Sequence, residues 1–212
     1  NSDLTPNIWD LKTGKLLFQL VGHTDIVTLI TYSADGTRIA TANHDGTARI
    51  WDAFTGKELL TLTGHKDFVL GVDFNPNGTR IATSSFDKTV KIWDADTGKN
   101  LLTLEHPDWV FSVAFSPDGT RLAAGIFNNT AKVWDVSTGR ELLNLDDHTD
   151  VIGQVVFSPD GTRVVTASTD GTAKIWDAKT GNQLFSLSSH SAAVSDVAYS
   201  KDGRFLATAS YD

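Results

Sequence analysis

The chain of 212 residues contains no cysteine and no methionine. Without cysteine there is neither a disulfide nor a thiolate metal site. No run of about 18 apolar residues exists, which excludes a transmembrane helix. The first residues lack a basic segment followed by an apolar stretch, so no secretory leader is visible, and a cytoplasmic location is the expectation. Positive charge is short as well: 18 Lys and Arg stand against 26 Asp and Glu, a formal net charge of −8 with a pI near 5.1. Nucleic acids and anionic membranes need a basic footprint, so neither is an expected partner. Asn1 stands where a gene product carries its initiator Met, and the chain is expected to be a piece of a longer protein or array.

What the chain has in abundance is a repeat. Trp-Asp occurs at Trp9, Trp51, Trp93, Trp134 and Trp176, in steps of 42, 42, 41 and 42 residues. A Thr-Gly pair follows each, ending at Gly14, Gly56, Gly98, Gly139 and Gly181. Five of the six histidines, His23, His65, His106, His148 and His190, keep the same rhythm. So do the turn glycines Gly36, Gly78, Gly119, Gly161 and Gly203. A period of this length marks a repeat architecture of stacked units.

Each period reads as four short strands. In the second full unit they are predicted at Phe68–Asn75, Arg80–Ser85, Thr89–Trp93 and Asn100–Leu104, separated by Pro76-Asn77-Gly78, Asp87-Lys88 and Asp96-Thr97-Gly98 turns. No segment carries helical periodicity over ten residues, so the fold class is all-β. Ile92 and Trp93 point to opposite faces of one strand, yet both are apolar. That demands a sheet buried on both faces, as in blades stacked around an axis.

These motifs resemble those of the WD-repeat β-propeller family, in its bacterial type of tandem repeats, over essentially the whole chain. The carriers are Gly22-His23 and Gly64-His65, the five Trp-Asp pairs, and the FSPDGTR segments ending at Arg121 and Arg163. The resemblance implies one β-propeller domain over residues 1–212, with five four-stranded antiparallel blades. It also implies a structural tetrad in each blade. The sets are His65, Ser85, Asp87 and Trp93; His148, Ser168, Asp170 and Trp176; and His23, Asn43, Asp45 and Trp51, with Asn for Ser.

The third unit departs from the pattern. His106 and Trp134 remain, but Ile126 replaces the Ser, Asn128 replaces the Asp, and the Glu105-His106-Pro107 loop is one residue short. This blade is expected to be less well tied together. The ends lie in the same phase of the repeat, and closure at five blades is expected through strands from both termini. His190, Ser210 and Trp9 would then share a tetrad with Asp212 or Asp3. A larger array, or two chains completing each other as a homo-oligomer, are the alternatives.

Repeated Ser, His and Asp suggest a hydrolase, but a triad needs one exposed nucleophile with its base and an oxyanion hole. Recurrence beside a Trp in blade after blade favours a structural role. Asp96-Thr97-Gly98 is a hairpin turn rather than a protease signature, and Thr55-Gly56-Lys57 lacks the earlier glycine and following helix of a phosphate loop. One His per blade is not a metal cluster, and Asn77 and Asn128 lie in weak N-x-T sequons. No cofactor, metal or catalytic residue is expected; a propeller enzyme is an unfavoured alternative, with only Asp73 and Asp196 as scattered strand-one acids.

In the resembled family, partner-binding positions lie three and five residues after the loop His and just before the turn Asp. Here they give Phe68, Leu70 and Phe86 in the second blade and Trp109, Phe111 and Phe127 in the third, while the other blades offer mostly small or polar groups. Trp109 is the only tryptophan outside the Trp-Asp series. Aromatic side chains dominate interface energetics. The expectation is therefore a non-catalytic scaffold that binds a protein or peptide through this sector. In the opposing reading the rings fill a narrow channel and touch only each other.

Overall fold

The computed structural model describes residues 4–212. Asp3, one of the two acids considered for the shared tetrad, lies outside them. Four complete antiparallel sheets follow one another along the chain. The first blade comprises β3 (Val27–Tyr32), β4 (Arg38–Asn43), β5 (Ala48–Asp52) and β6 (Glu58–Leu62). The second comprises β7 (Val69–Phe74), β8 (Arg80–Ser85), β9 (Thr89–Asp94) and β10 (Asn100–Glu105). In the third are β11 (Val110–Phe115), β12 (Arg121–Ile126), β13 (Ala131–Asp135) and β14 (Glu141–Leu145). The fourth holds β15 (Ile152–Phe157), β16 (Arg163–Ser168), β17 (Ala173–Asp177) and β18 (Gln183–Leu187). Two hairpins flank them: β1 (Asn7–Trp9) with β2 (Leu16–Gln19), and β19 (Val194–Tyr199) with β20 (Leu206–Ser210).

Strand ends expected in the second unit fall within one residue of those observed, because turn chemistry sets them. In the β9–β10 turn the Asp94 carboxylate accepts the Thr97 N–H and hydroxyl, both within 2.8 Å, and Gly98 takes a φ of +70°. Asp96-Thr97-Gly98 is thus a hairpin turn, as its place in the repeat requires.

The core lies between blades. Ala40, Ile50 and Leu62 of the first blade pack with Val69, Phe74, Ile81 and Trp93 of the second, and the two following junctions repeat this pattern. Ile92 and Trp93 are both buried, as a sheet covered on both faces demands. Each such aliphatic or aromatic side chain contributes roughly 1.5–3 kcal/mol on burial, so stability is distributed over junctions rather than held in one centre.

The terminal hairpins do not join. β1 pairs with β2 and β19 with β20, with no register between β20 and β1. Each hairpin rests on its neighbouring blade instead: Ile8 and Phe18 pack on Leu20, Ile39 and Trp51, and Val194 and Val197 pack on Val165 and Ile175. The expected closure through both termini is therefore not seen, and residues at the ends of the array keep exposure that the interior lacks. Tyr32 is 51% exposed, whereas Phe74 at the same repeat position is 6% exposed.

Candidate functional site: the ring cluster over blades two and three

The face that carries the cluster is built on the loops before β7 and β11 and the turns after β8 and β12. In the second blade these segments are held by the expected His–Asp pair. His65 Nδ1 lies 2.8 Å from Asp87 Oδ2, and the same carboxylate oxygen accepts the Lys66 N–H at 3.0 Å. Burial alone would raise the Asp87 carboxyl, but hydrogen bonds from His65, Thr89 and Lys66 outweigh it and hold it well below the usual range. Gly64 precedes the histidine with a φ of +146°, and a Cβ there would stand 3.3 Å from the Trp93 ring. The Gly-His motif thus serves backbone conformation and close approach at once.

The hydroxyl of the tetrad is a different residue from the one expected. Thr83 Oγ1 lies 2.7 Å from His65 Nε2 and accepts the Trp93 Nε1–H at 2.8 Å. Thr41 plays this part in the first blade with His23 and Trp51, and Thr166 in the fourth with His148 and Trp176. Ser85, Asn43 and Ser168 stand two residues further along the same face. Trp93 is registered opposite Ile81, so Thr83 is its diagonal neighbour, within reach of an indole. Ser85 lies about 6–7 Å beyond that point. It ties the loops instead, donating to the Asp67 carbonyl at 3.2 Å and accepting the Asp87 N–H at 3.0 Å. Asn43 and Ser168 do likewise with Asp25 and Asp45, and with Asp150 and Asp170.

In the fourth blade His148 is held below the ordinary histidine range by burial, against the opposing pull of Asp170, whose carboxyl is down at about 2. His23 follows the same pattern beside Asp45. These imidazoles are neutral structural links at neutral pH, one nitrogen toward a carboxylate and the other toward a hydroxyl.

The third blade has lost this arrangement further than its Ile126 and Asn128 indicate. Ala124 occupies the threonine position, and Pro107 stands where Lys66 supplies an N–H. His106 Nδ1 donates to the Leu104 carbonyl at 3.1 Å, while His106 Nε2 and Trp134 Nε1 are buried with no partner among the described residues. The two rings lie edge-on with centroids 5.3 Å apart, against 6.0–6.3 Å in the three regular blades. Burial pushes His106 down to about 4.

Above this uneven scaffold the expected aromatic residues meet. Phe68 and Phe86 have centroids 5.8 Å apart; Phe86 stacks on Trp109 at 4.5 Å and 22°; Trp109 meets Phe127 at 5.0 Å. Phe111 is wedged below, 5.6 Å from Phe86 and 6.1 Å from Phe127. Leu70 lies half-buried on the inner strand β7. The rings do pack on one another, yet Phe68, Trp109 and Phe127 are 37%, 38% and 40% exposed, so they also present a surface. One member maps to an equivalent position but is not counted in the expected sector: His44 of the first blade stacks on Phe68 at 4.2 Å and 11°, extending the row by one blade. Its place just before the turn Asp45 was the available signal.

Toward the far end of β7, Asp73 accepts the Phe115 N–H at 2.8 Å across the junction of the second and third blades. Desolvation pushes its carboxyl up to about 7. Asp196 stands on β19 with its own neighbours, so the two acids noted on first strands are not brought into one site.

Comparison with known proteins agrees with this architecture. The family model described as WD domain, G-beta repeat matches residues 14–52, 56–94, 98–135, 139–177 and 181–212. The chain is similar to autophagy-related protein 16 of Arabidopsis thaliana, with 45% identity over 38 residues, 18% of this chain and 8% of that protein. It is also similar to coronin-7 of Mus musculus, with 46% identity over 44 residues, 21% of this chain and 5% of that protein. The matched stretches thus span less than a tenth of each relative. With the repeat model covering nearly every residue and four complete blades in register, the chain belongs to the WD domain, G-beta repeat family.

Proposed function

We propose that this chain is a non-catalytic protein-interaction scaffold that docks a protein or peptide on the top face of its second and third blades. The observation that carries the reading is the continuous row of rings from Phe68 to Phe127, three of them more than one-third exposed. Contiguous exposed apolar surface of this kind marks interaction sites, and Trp and Phe anchors supply most of the affinity at such places. The equivalent positions of the remaining blades hold Ile26, Thr28 and His44, then Val151, Gly153 and Thr169, then Ala193, Ser195 and Tyr211. His44 joins the row by stacking on Phe68, and among the described residues no second ring cluster forms there. Membership of a family of repeat propellers supports a binding role by analogy of fold.

The test uses peptides selected from a displayed random library against the intact chain. Peptides that bind through this face lose at least tenfold in affinity for a Trp109→Ala, Phe86→Ala double variant whose circular dichroism is unchanged. Peptides that bind the variant as well as the parent would sink the docking role.

A specific observation favours a second reading, in which the array completes itself with another copy. His190 Nε2 lies 2.8 Å from Thr208 Oγ1 and its Nδ1 3.2 Å from Asp212, three members of a tetrad on β19–β20 and the segment after it. Trp9, the residue type that completes the other tetrads, stands at the opposite end, 53% exposed. Light scattering decides between the readings: a 22.9 kDa particle favours the scaffold as a monomer, and a dimer or larger species favours completion between copies.

A further inference from the structure

Each complete blade has one turn residue in the left-handed region between its second and third strands. Gly46 has φ +80° and Gly171 +84°; the third blade uses Asn129 at +69°, and the second uses Lys88 at +68°. Glycine and, to a lesser degree, asparagine adopt this conformation readily, whereas a lysine does so against the steric preference of its Cβ. The Lys88 side chain has a use that neither glycine could supply. Its Nζ crosses to the third blade and lies 3.3 Å from the Pro107 carbonyl and 3.5 Å from Asp108 Oδ1. Its own carbonyl accepts the His106 N–H at 2.9 Å. Both ends of Lys88 therefore grip the loop 106–108 that leads into Trp109.

That loop has lost its native fastenings. In the regular blades the Asp binds both the His and the next N–H, as in Thr24 to Asp45, Lys66 to Asp87 and Thr149 to Asp170, at 3.0–3.2 Å. In the third blade Pro107 has no N–H, Asn128 replaces the carboxylate, and Ala124 removes the hydroxyl. Within its own blade the loop keeps the backbone bond from Phe127 N–H to the Trp109 carbonyl at 2.9 Å. The other support comes from the 86–88 turn of the second blade, through Lys88 below and the Phe86 stack above.

We infer that Lys88 is a positioning residue for Trp109, a cross-blade tether that replaces the third blade's missing His–Asp fastening. The tether couples the two halves of the ring row. Its bearing on recognition rests on the docking role proposed above, whereas the tether itself is testable without any partner.

The experiment is amide hydrogen exchange by mass spectrometry on the intact chain, comparing wild type, Lys88→Gly and Lys88→Arg. Glycine suits the left-handed φ, as Gly46 and Gly171 do, and keeps the carbonyl bond. Lys88→Gly is therefore expected to leave the thermal midpoint unchanged or raised. Exchange at the amides of residues 108–111 should still accelerate about two- to fivefold, the range of an exposed ion pair. Lys88→Arg should keep exchange slow, and 1 M salt should accelerate the same segment in wild type by screening the pair. Unchanged exchange at 108–111 in Lys88→Gly overturns the tether, as does acceleration spread evenly over all blades with a lower midpoint. If the variant does not fold, the salt dependence of wild type decides alone: no local acceleration refutes the inference. A tether that is confirmed while selected peptides ignore Trp109 would refute only the docking role.

Discussion

The second and third blades share a strand plan, a register and a buried tryptophan, yet are held in different ways. In the second blade one threonine hydroxyl joins an imidazole to an indole, and one carboxylate joins that imidazole to the adjoining loop. In the third, Ala124, Asn128 and Pro107 have removed these connections, leaving His106 Nε2 and Trp134 Nε1 buried with no partner among the described residues. Both blades nonetheless have fully formed sheets and equivalent apolar junctions. Burial between blades therefore specifies the architecture, while the tetrad decides how firmly each top loop is fixed to it. The blade with the weakest fixing carries Trp109, Phe111 and Phe127 of the ring cluster.

Breaking the second blade's tetrad should have the largest effect. Thr83→Val removes the shared hydroxyl and strands both the His65 and Trp93 nitrogens, so it should cost about 2–4 kcal/mol in urea unfolding. A loss below about 1 kcal/mol would show that the regular tetrad contributes no more than its degenerate counterpart. The reverse substitution sharpens the comparison from the other side. Ala124→Thr offers Trp134 and His106 the missing hydroxyl and should stabilise by about 0.5–1.5 kcal/mol. A destabilising outcome would mean that the closer rings, at 5.3 Å, have already taken the space.

The junction between these blades should also respond to pH through Asp73. Its folded pKa is raised to about 7 against about 3.9 for an unfolded chain. The folded state therefore binds more protons between those values, and stability falls as pH rises through that window. Asp73→Asn, which keeps an acceptor for the Phe115 N–H, should be more stable than wild type at pH 8 and equal to it near pH 3.5. Thermal midpoints that differ by the same amount at both pH values would place the carboxyl in an ordinary, solvated setting. The smallest effect is expected at the indole that has no partner. Trp134→Phe should cost at least 1 kcal/mol less than Trp93→Phe, because only Trp93 Nε1 donates a hydrogen bond to lose. Equal losses would show that packing outweighs the tetrad in both blades.

Much of this was legible from periodicity. The strand ends near Arg80, Ser85 and Thr89 follow from turn signals recurring at 41–42-residue spacing, and the two-face burial of Ile92 and Trp93 from their adjacent apolar character. The ring sector, by contrast, rested on binding positions that the family resemblance implies. The tetrad hydroxyl was misplaced for a definite reason: Thr83 and Ser85 share one face of β8, so alternation cannot separate them, and only the pairing of Trp93 with Ile81 does. A within-chain signal existed, since threonine stands ten residues before the Trp in each regular unit and Ala124 does so in the third. The cross-blade reach of Lys88 left no such trace, because it joins residues 19 and 20 positions apart through a turn conformation unusual for lysine.

The sequence by itself determined the repeat unit, the four-strand blade, the all-β class and the uneven placing of aromatic residues. These depend on local turn chemistry and on which residues must avoid water, and both recur within each unit. Tertiary structure alone decided which hydroxyl meets the indole, whether exposed rings form one surface, how a loop without its own fastening is held, and that the terminal hairpins stand apart. Each of those outcomes depends on distances between strands and between blades, and sequence spacing does not measure them.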